Sequence, residues 1–237
     1  MLGRAGPTRS WRRPALTARP QTLTGAIAML AVVDDRLVLV TRRDRTGAGL
    51  PTFVPGPGDG LDDVARATAE SAACGGPIYL EQLYTFAAAA TDQPPSVVVS
   101  YLALLSGAER VGPDMVVAPV VDAAGALDRV ERDVVDYAVV RLRAKIGYTT
   151  IAFHLMALEF TLSELQRTYQ TILGVPLDKR NFRRRILATG LVSQTEGRRV
   201  GANHRPAALY QFAAEHDPSA FLTPAGASRV ASSTSAG

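Results

Sequence analysis

Apolar positions along this chain come in blocks, and the spacing inside the blocks changes part-way. Residues 26–33 form a continuous apolar run closed by Asp34-Asp35, and residues 37–40 form a second. Two short apolar runs joined by a polar pair predict a hairpin of buried strands. Residues 42–49 read as a polar, glycine-containing loop, and Thr52-Phe53-Val54 leads into Pro55-Gly56-Pro57-Gly58, a strong turn signal. Residues 62–73 are rich in alanine, lack Pro and Gly, and set Val64 and Thr68 one helical turn apart, which predicts a helix. Residues 80–88, 96–105 and 115–121 read as further strands. Strands around a helix in this order predict a mixed α/β sandwich.

Beyond residue 124 the period becomes helical. Leu127, Val130, Val134, Tyr137, Val140 and Ile146 lie near helical spacing, with Asp128, Glu131, Asp133 and Asp136 early and Arg141, Arg143 and Lys145 late. That charge order suits the helix dipole, and Gly147 ends the segment. It reads as an amphipathic connector packed on the sheet, or as one that also carries a signal or forms a dimer seam. Thr161-Leu162-Ser163-Glu164 has the form of a capping box, with Phe160 and Leu165 at hydrophobic-staple positions. The helix it opens runs through Tyr169 and Ile172 to Gly174. After Val175-Pro176-Leu177, Asp178 is a good N-cap for a helix over 179–188, with Gly190 as its stop. Residues 191–194 read as a strand, Glu196-Gly197-Arg198-Arg199 as a basic loop, and residues 209–212 as a returning strand. Helix, turn, helix, strand, basic loop, strand is the order of a winged helix-turn-helix.

The wheel of the second of these helices decides what it offers. At about 100° per residue, Phe182 and Ile186 share one face. Arg180, Asn181 and Arg184 fall roughly opposite, flanked by Arg183 and Arg185. Arg bonds guanine O6 and N7 in the major groove, and Asn bonds adenine N6 and N7. Lys179 and Arg183 suit phosphates, which set register without reading sequence. Arg198, Arg199 and Arg205 on the wing suit backbone or minor groove. A solvated arginine face is the alternative for any one of these residues; the cap, the turn and the basic wing together favour DNA.

Composition narrows the classes. The chain has 237 residues, 47% of them hydrophobic, which is ample for a core. Its net charge of +4 hides an asymmetry: residues 21–140 carry 8 basic and 16 acidic side chains, and residues 141–237 carry 13 and 6. Two modules of opposite sign imply different partners, one of them polyanionic. A lone Cys74 excludes a disulfide framework or a cysteine-clustered zinc site, and His154, His204 and His216 are scattered, so no metal ligand is assigned. No apolar run reaches about 18 residues, so no membrane span is expected. Residues 1–20 hold five arginines and no acid, a transit-like composition without a secretory apolar core; a disordered tail and a cytoplasmic protein are expected. The expected division is disordered tails at 1–21 and 215–237, the sandwich with its connector over 22–147, and the winged helix over 148–214, an α+β chain.

A strand, a Pro-Gly turn and a helix ending in Gly resemble the Nudix fold, whose hydrolases carry Arg-Glu and Glu-Glu pairs before a closing glycine and use the glutamates to hold Mg²⁺ against a pyrophosphate. With Gly75 as the closing glycine and Gly56 or Gly58 at the turn, the Arg-Glu pair falls on Thr68-Ala69 and the Glu-Glu pair on Ala72-Ala73. A one-residue shift brings Glu70 to one position but leaves Ala73-Cys74 at the pair. Alanine offers no oxygen to a metal, so no catalytic residue is assigned. Asp59, Asp62, Asp63 and Glu70 remain, on a solvated helix face.

Residues 160–166 (Phe-Thr-Leu-Ser-Glu-Leu-Gln), 177–184 (Leu-Asp-Lys-Arg-Asn-Phe-Arg-Arg), Arg205-Pro206-Ala207 with Leu209-Tyr210, and in the first module residues 79–86 and 101–104, are similar to the Nudix-related transcriptional regulators, the NrtR family. The similarity covers about residues 22–214. It implies an N-terminal Nudix-like sandwich plus a C-terminal winged helix, and a homodimeric repressor of NAD metabolism genes that binds a palindromic double-stranded operator. It also implies a nucleotide effector, ADP-ribose or an NAD-related compound, and no cofactor. One segment departs: where the family is arginine-rich, this chain has Thr91-Asp92-Gln93-Pro94-Pro95-Ser96, which removes cationic partners for a pyrophosphate. Arg42 and Arg43 remain as candidate phosphate ligands, with Phe86 and Tyr101 as candidate pocket walls. Two other readings stand beside this one: a Nudix-type ADP-ribose pyrophosphatase with a basic accessory domain, and a constitutive DNA-binding protein whose Nudix module only dimerises.

Overall fold

The first apolar block forms the middle of a sheet. In the computed structural model of the chain, residues 22–44, 47–76, 78–88, 96–107, 111–201 and 204–213 are described. The expected tails at 1–21 and 215–237, and residues 91–95 of the departing segment, lie outside them. Strand β1 (Thr22–Val33) turns through Asp34-Asp35 into β2 (Arg36–Asp44). Both turn residues have positive φ, 48° and 58°, the left-handed pair that a two-residue hairpin with matching strand twist requires. Short strands β3 (Gly47–Gly49) and β4 (Thr52–Phe53) precede helix α1 (Leu61–Ala72), and β5 (Ile78–Ala88), β6 (Ser96–Leu105) and β7 (Met115–Pro119) complete the sheet. The main strand order is β3-β2-β1-β6-β5, with β4 on β1 and β7 on β2. β1 runs parallel to β6 and antiparallel to β2, so the sheet is mixed.

Both faces of β1 are covered, which is why its run is apolar without alternation. Ile27, Met29 and Ala31 face α1; Ala28 and Leu30 face the other side. α1 presents Ala65, Ala69 and Ala72, one residue per turn, so its backbone lies close to the sheet. After a short helix α2 (Val120–Ala123), helix α3 (Arg129–Ile146) covers the opposite face with Val134, Val135, Ala138, Val139, Leu142 and Ile146. α3 opens with a capping box between Asp128 and Glu131, and the Glu131 carboxylate also accepts from the backbone N–H of Leu50 at 2.8 Å. A 3₁₀ turn (Ile151–Leu155) leads to helices α4 (Leu162–Leu173) and α5 (Lys179–Ala188) and the hairpin β8 (Val192–Gly201) and β9 (His204–Phe212). The core on the α3 face continues without a break through Ile151, Phe153, Phe160, Leu165, Ile172, Phe182 and Ile186. Among the described residues no helix is long and apolar enough to cross a membrane.

Three expectations change. Residues 42–44 and 47–49 of the expected loop are strand: β2 continues to Asp44 because Arg42 pairs with Met115 on one side and Gly49 on the other. The strand expected over 115–121 stops at Pro119, which lacks the N–H that would extend the ladder, and the chain turns into α2. The basic wing segment is strand, with Arg198 and Arg199 paired to Ala208 and Ala207.

The sheet contains one close approach. Gly25 lies under the Phe53 ring, and a Cβ there would meet ring carbons at 2.0–2.6 Å. Gly25→Ala is expected to destabilise the fold by about 1–3 kcal/mol, read as a lower urea midpoint with an unchanged m-value.

Candidate nucleic-acid interface

α4 and α5 form as their caps dictate. The Thr161 hydroxyl accepts from the Glu164 N–H at 3.2 Å, and the Glu164 carboxylate accepts from the Thr161 N–H at 2.8 Å. Phe160 and Leu165 are buried together as a staple. α4 ends at Gly174 with φ 70°, and the Gln166 side chain closes the inter-helix turn by donating to the Leu177 carbonyl at 2.8 Å. Asp178 caps α5 by accepting from the Asn181 N–H at 2.8 Å. Phe182 and Ile186 face inward, and Phe182 meets Tyr169 edge-on at 5.4 Å between centroids. Burial raises the Tyr169 hydroxyl above its ordinary pKa.

The outward face is cationic. Lys179, Arg180, Arg183 and Arg184 are exposed; Asn181 and Arg185 are half-buried. Two side-chain bonds organise this surface: Arg184 Nη2 donates to Asn181 Oδ1 at 2.9 Å, and Arg183 Nη2 donates to Ser163 Oγ at 3.0 Å. On the hairpin, Arg198 and Arg199 are both exposed, but Arg199 reaches back to Glu164 at 2.5 Å and to the Glu159 carbonyl at 3.3 Å. β9 is tied to the start of α4 by paired backbone bonds between Phe160 and Tyr210 of 2.9 and 2.8 Å. The Arg205 side chain lies outside the described residues.

The four candidate effector residues do not converge. Tyr101 is 1% exposed and fills the core beneath α1, its hydroxyl donating to Asp62 at 2.7 Å. Burial, then the Asp62 carboxylate, pushes that hydroxyl above its ordinary pKa. Phe86 pairs with Val98, one parity away from Tyr101, and so packs on the α3 face beside Tyr84 and Tyr137. Residues one step apart in a strand face opposite sides, so Phe86 and Tyr101 cannot wall one pocket. By the same alternation Arg42 shares the α1 face with Val40, while Arg43 opens onto a shallow cleft of about 390 Å³ lined with Asp114 and Val116.

Comparison with known proteins adds relatives. Residues 152–212 match the family model for the NrtR DNA-binding winged helix domain. The ADPR responsive transcriptional repressor NtrR of Acinetobacter baylyi is 44% identical over 81 residues, which span 34% of this chain and 32% of that protein, about a third of its length. The crystal structure of Shewanella oneidensis NrtR complexed with a 27mer DNA superposes with a TM-score of 0.73 at 25% identity, over 84% of this chain and 95% of that one. A MutT/nudix family protein from Enterococcus faecalis shares the fold, with a TM-score of 0.64 at 20% identity over 82% and 89% of the two chains. Residues 152–212 form a winged helix domain of the NrtR type, and the chain as a whole resembles NrtR proteins in fold. Its fold is thus an α+β pair, a Nudix-like sandwich followed by a winged helix.

In the Nudix-like half the helix that corresponds to the Nudix box is α1. At the positions where the resemblance calls for paired glutamates, Ala72 and Ala73 are buried against the sheet. Of the remaining acids, Asp62 is engaged by Tyr101 and Asp59 accepts from the Gly56 N–H at 2.8 Å.

Sequence reasoning missed a polar cluster that joins β5 to α3 and touches the 3₁₀ turn before α4 through Tyr79. Glu81 on β5 accepts from Lys145 at 2.5 Å, from Tyr79 at 2.8 Å and from Arg141 at 3.3 Å. The Tyr79 ring packs at 4.6 Å on His154, in the 3₁₀ turn before α4. The only sequence signal was spacing: Tyr79 and Glu81 alternate on one strand face, and Arg141 and Lys145 lie one helical turn apart. At the other end, Asp35 in the β1–β2 turn meets Arg167 at 3.5 Å and accepts from the Thr171 hydroxyl at 3.0 Å.

Burial alone would raise the Glu81 pKa; the bonds from Lys145 and Tyr79 and the charge of Lys145 outweigh it and hold the carboxyl below its ordinary value. A carboxyl depressed on folding adds stability above its unfolded pKa and loses it as pH falls through the folded one. Acidification below the ordinary carboxylate range of about 4 is therefore expected to remove the stability this cluster contributes. Thermal melts across that range should show a shallower acid limb in Glu81→Gln than in the parent.

Proposed function

We propose that this protein is a transcriptional repressor of NAD biosynthesis or salvage genes, in which α5 reads an operator and the Nudix-like unit binds an ADP-ribose-type nucleotide without hydrolysing it. One observation carries the reading: α5 buries Phe182 and Ile186 and turns Arg180, Arg183 and Arg184 to solvent, with Asn181 bonded to Arg184. That is a helix shaped to fit a major groove, with an apolar back and a cationic and amide front. The DNA complex of the S. oneidensis relative and the ADPR-responsive naming of the A. baylyi relative support it.

In this reading Lys179 and Arg183 hold phosphates, Arg180, Asn181 and Arg184 meet base edges, and Arg198 and Arg205 meet the backbone or minor groove. Two copies bind a palindromic site, with half-sites about 34–36 Å apart or a multiple of that distance. The junction between units falls near residues 147–148, and the protein works in the cytoplasm. Arg42 and Arg43, on opposite faces of the sheet near the end of β2, are separate candidates for an effector phosphate, one on the α1 side and one at the cleft beside Asp114. The loss of carboxylates at Ala72 and Ala73 argues against Mg²⁺-dependent hydrolysis; AMP release from ADP-ribose with Mg²⁺ would favour the pyrophosphatase reading instead.

Footprinting on the gene's own upstream region and on NAD synthesis and salvage operons supplies the operator. On that DNA, Arg184→Ala is expected to weaken binding by about 1–3 kcal/mol with an unchanged melting curve. Affinity unchanged in that variant would place the reading face elsewhere. ADP-ribose is expected to weaken operator binding through a coupling of about 1–3 kcal/mol, and the operator to weaken ADP-ribose binding equally. A titration with no effect in either direction would leave a constitutive DNA-binding protein.

A further inference from the structure

We propose that Arg199 is a positioning residue that fastens the wing to the first turn of α4 and makes no phosphate contact, leaving Arg198 as the cation that this strand offers to a duplex. The second half rests on the DNA-binding reading above; the first does not.

Arg198 and Arg199 are adjacent, identical and both exposed, so composition treats them alike. The strand separates them. Their partners across the hairpin are Ala208 and Ala207, and consecutive strand residues face opposite sides. Arg199 turns towards α4, where one guanidinium nitrogen bonds Glu164 Oε1 and another donates to the Glu159 carbonyl. Arg198 turns to the other face and has no ion pair among the described residues.

Glu164 is occupied on both sides. Its Oε2 accepts from the Thr161 N–H and completes the capping box, while its Oε1 holds Arg199. One carboxylate thus joins the helix start to the wing. The paired backbone bonds between Phe160 and Tyr210 close the same corner from the main chain. If Arg199 swung onto a phosphate, the Glu164 carboxylate would be left facing polyanionic DNA without its cation. A guanidinium that stays on Glu164 neutralises no phosphate, so it displaces none of the counterions condensed on the duplex.

Two measurements test this. The first is the slope of log affinity against log salt, between about 50 and 200 mM, on the footprinted operator. Arg198→Ala is expected to make the slope shallower by about 1. Arg199→Ala is expected to weaken binding about 3- to 10-fold at every salt and to keep the parent slope, because what is lost is the placement of the wing. A slope shallower by about 1 in Arg199→Ala would overturn the proposal. The second needs no DNA: amide hydrogen exchange at Phe160 and Tyr210 in the full chain. Glu164→Gln keeps the reach needed for the capping box and removes the charge. Faster exchange is expected in Arg199→Ala and in Glu164→Gln, with no further increase in the double variant. Unchanged protection in both single variants would overturn the latch. A parent chain that binds no duplex would sink the DNA-binding reading, and the exchange experiment would still decide for or against the latch.

Discussion

The placement of α5 depends on apolar contact passed from layer to layer. Phe182 and Ile186 bury into α4 through Tyr169 and Ile172, and α4 rests on the same core that joins α3 to the sheet. Because that core is continuous, the surface of α5 has a fixed relation to the strands that carry Arg42 and Arg43. Close-packed interiors deform little, so movement between the halves would have to occur at their polar edges. Those edges are the Tyr79 ring against His154 on one side and the Asp35 contacts to Arg167 and Thr171 on the other.

The Nudix-like half shows how packing and chemistry compete for the same positions. α1 lies close to the sheet because it presents alanine at Ala65, Ala69 and Ala72. Alanine at Ala72 and Ala73 also removes the oxygens that a metal site would need, so these positions serve the apolar contact alone. Tyr101 makes a related point. From sequence it is an aromatic residue suited to a pocket wall; in the sheet it is a core side chain whose hydroxyl finds its partner in Asp62.

The hairpin carries the same lesson to the winged helix. A run of arginines looks uniform, yet the ion pair to Glu164, the bond to Ser163 and the bond to Asn181 give Arg199, Arg183 and Arg184 three different anchors. Charge counted along the chain describes the field around the winged helix. The work of each guanidinium is set by what it touches.

Much of the fold was legible because its signals are local. Thr161 with Glu164, Asp178 before Lys179, and Gly174 after Leu173 are each settled by bonds within one helical turn, and the structure places those caps where the spacing puts them. The apolar face of α5 follows from helical period alone. The extent of β2 past Arg42, the burial of Tyr101, the separation of Phe86 from it and the turn of Arg199 towards Glu164 depend on which strand lies alongside and on which side. Strand pairing joins residues far apart in the chain, and a one-residue change of parity reverses the face a side chain occupies. The sequence determined the helices, their caps and the cationic front of the winged helix, because those need only neighbours within a few residues. The tertiary structure decided which cations face outward and which polar groups hold the two halves together, because those contacts exist only once distant segments are packed side by side.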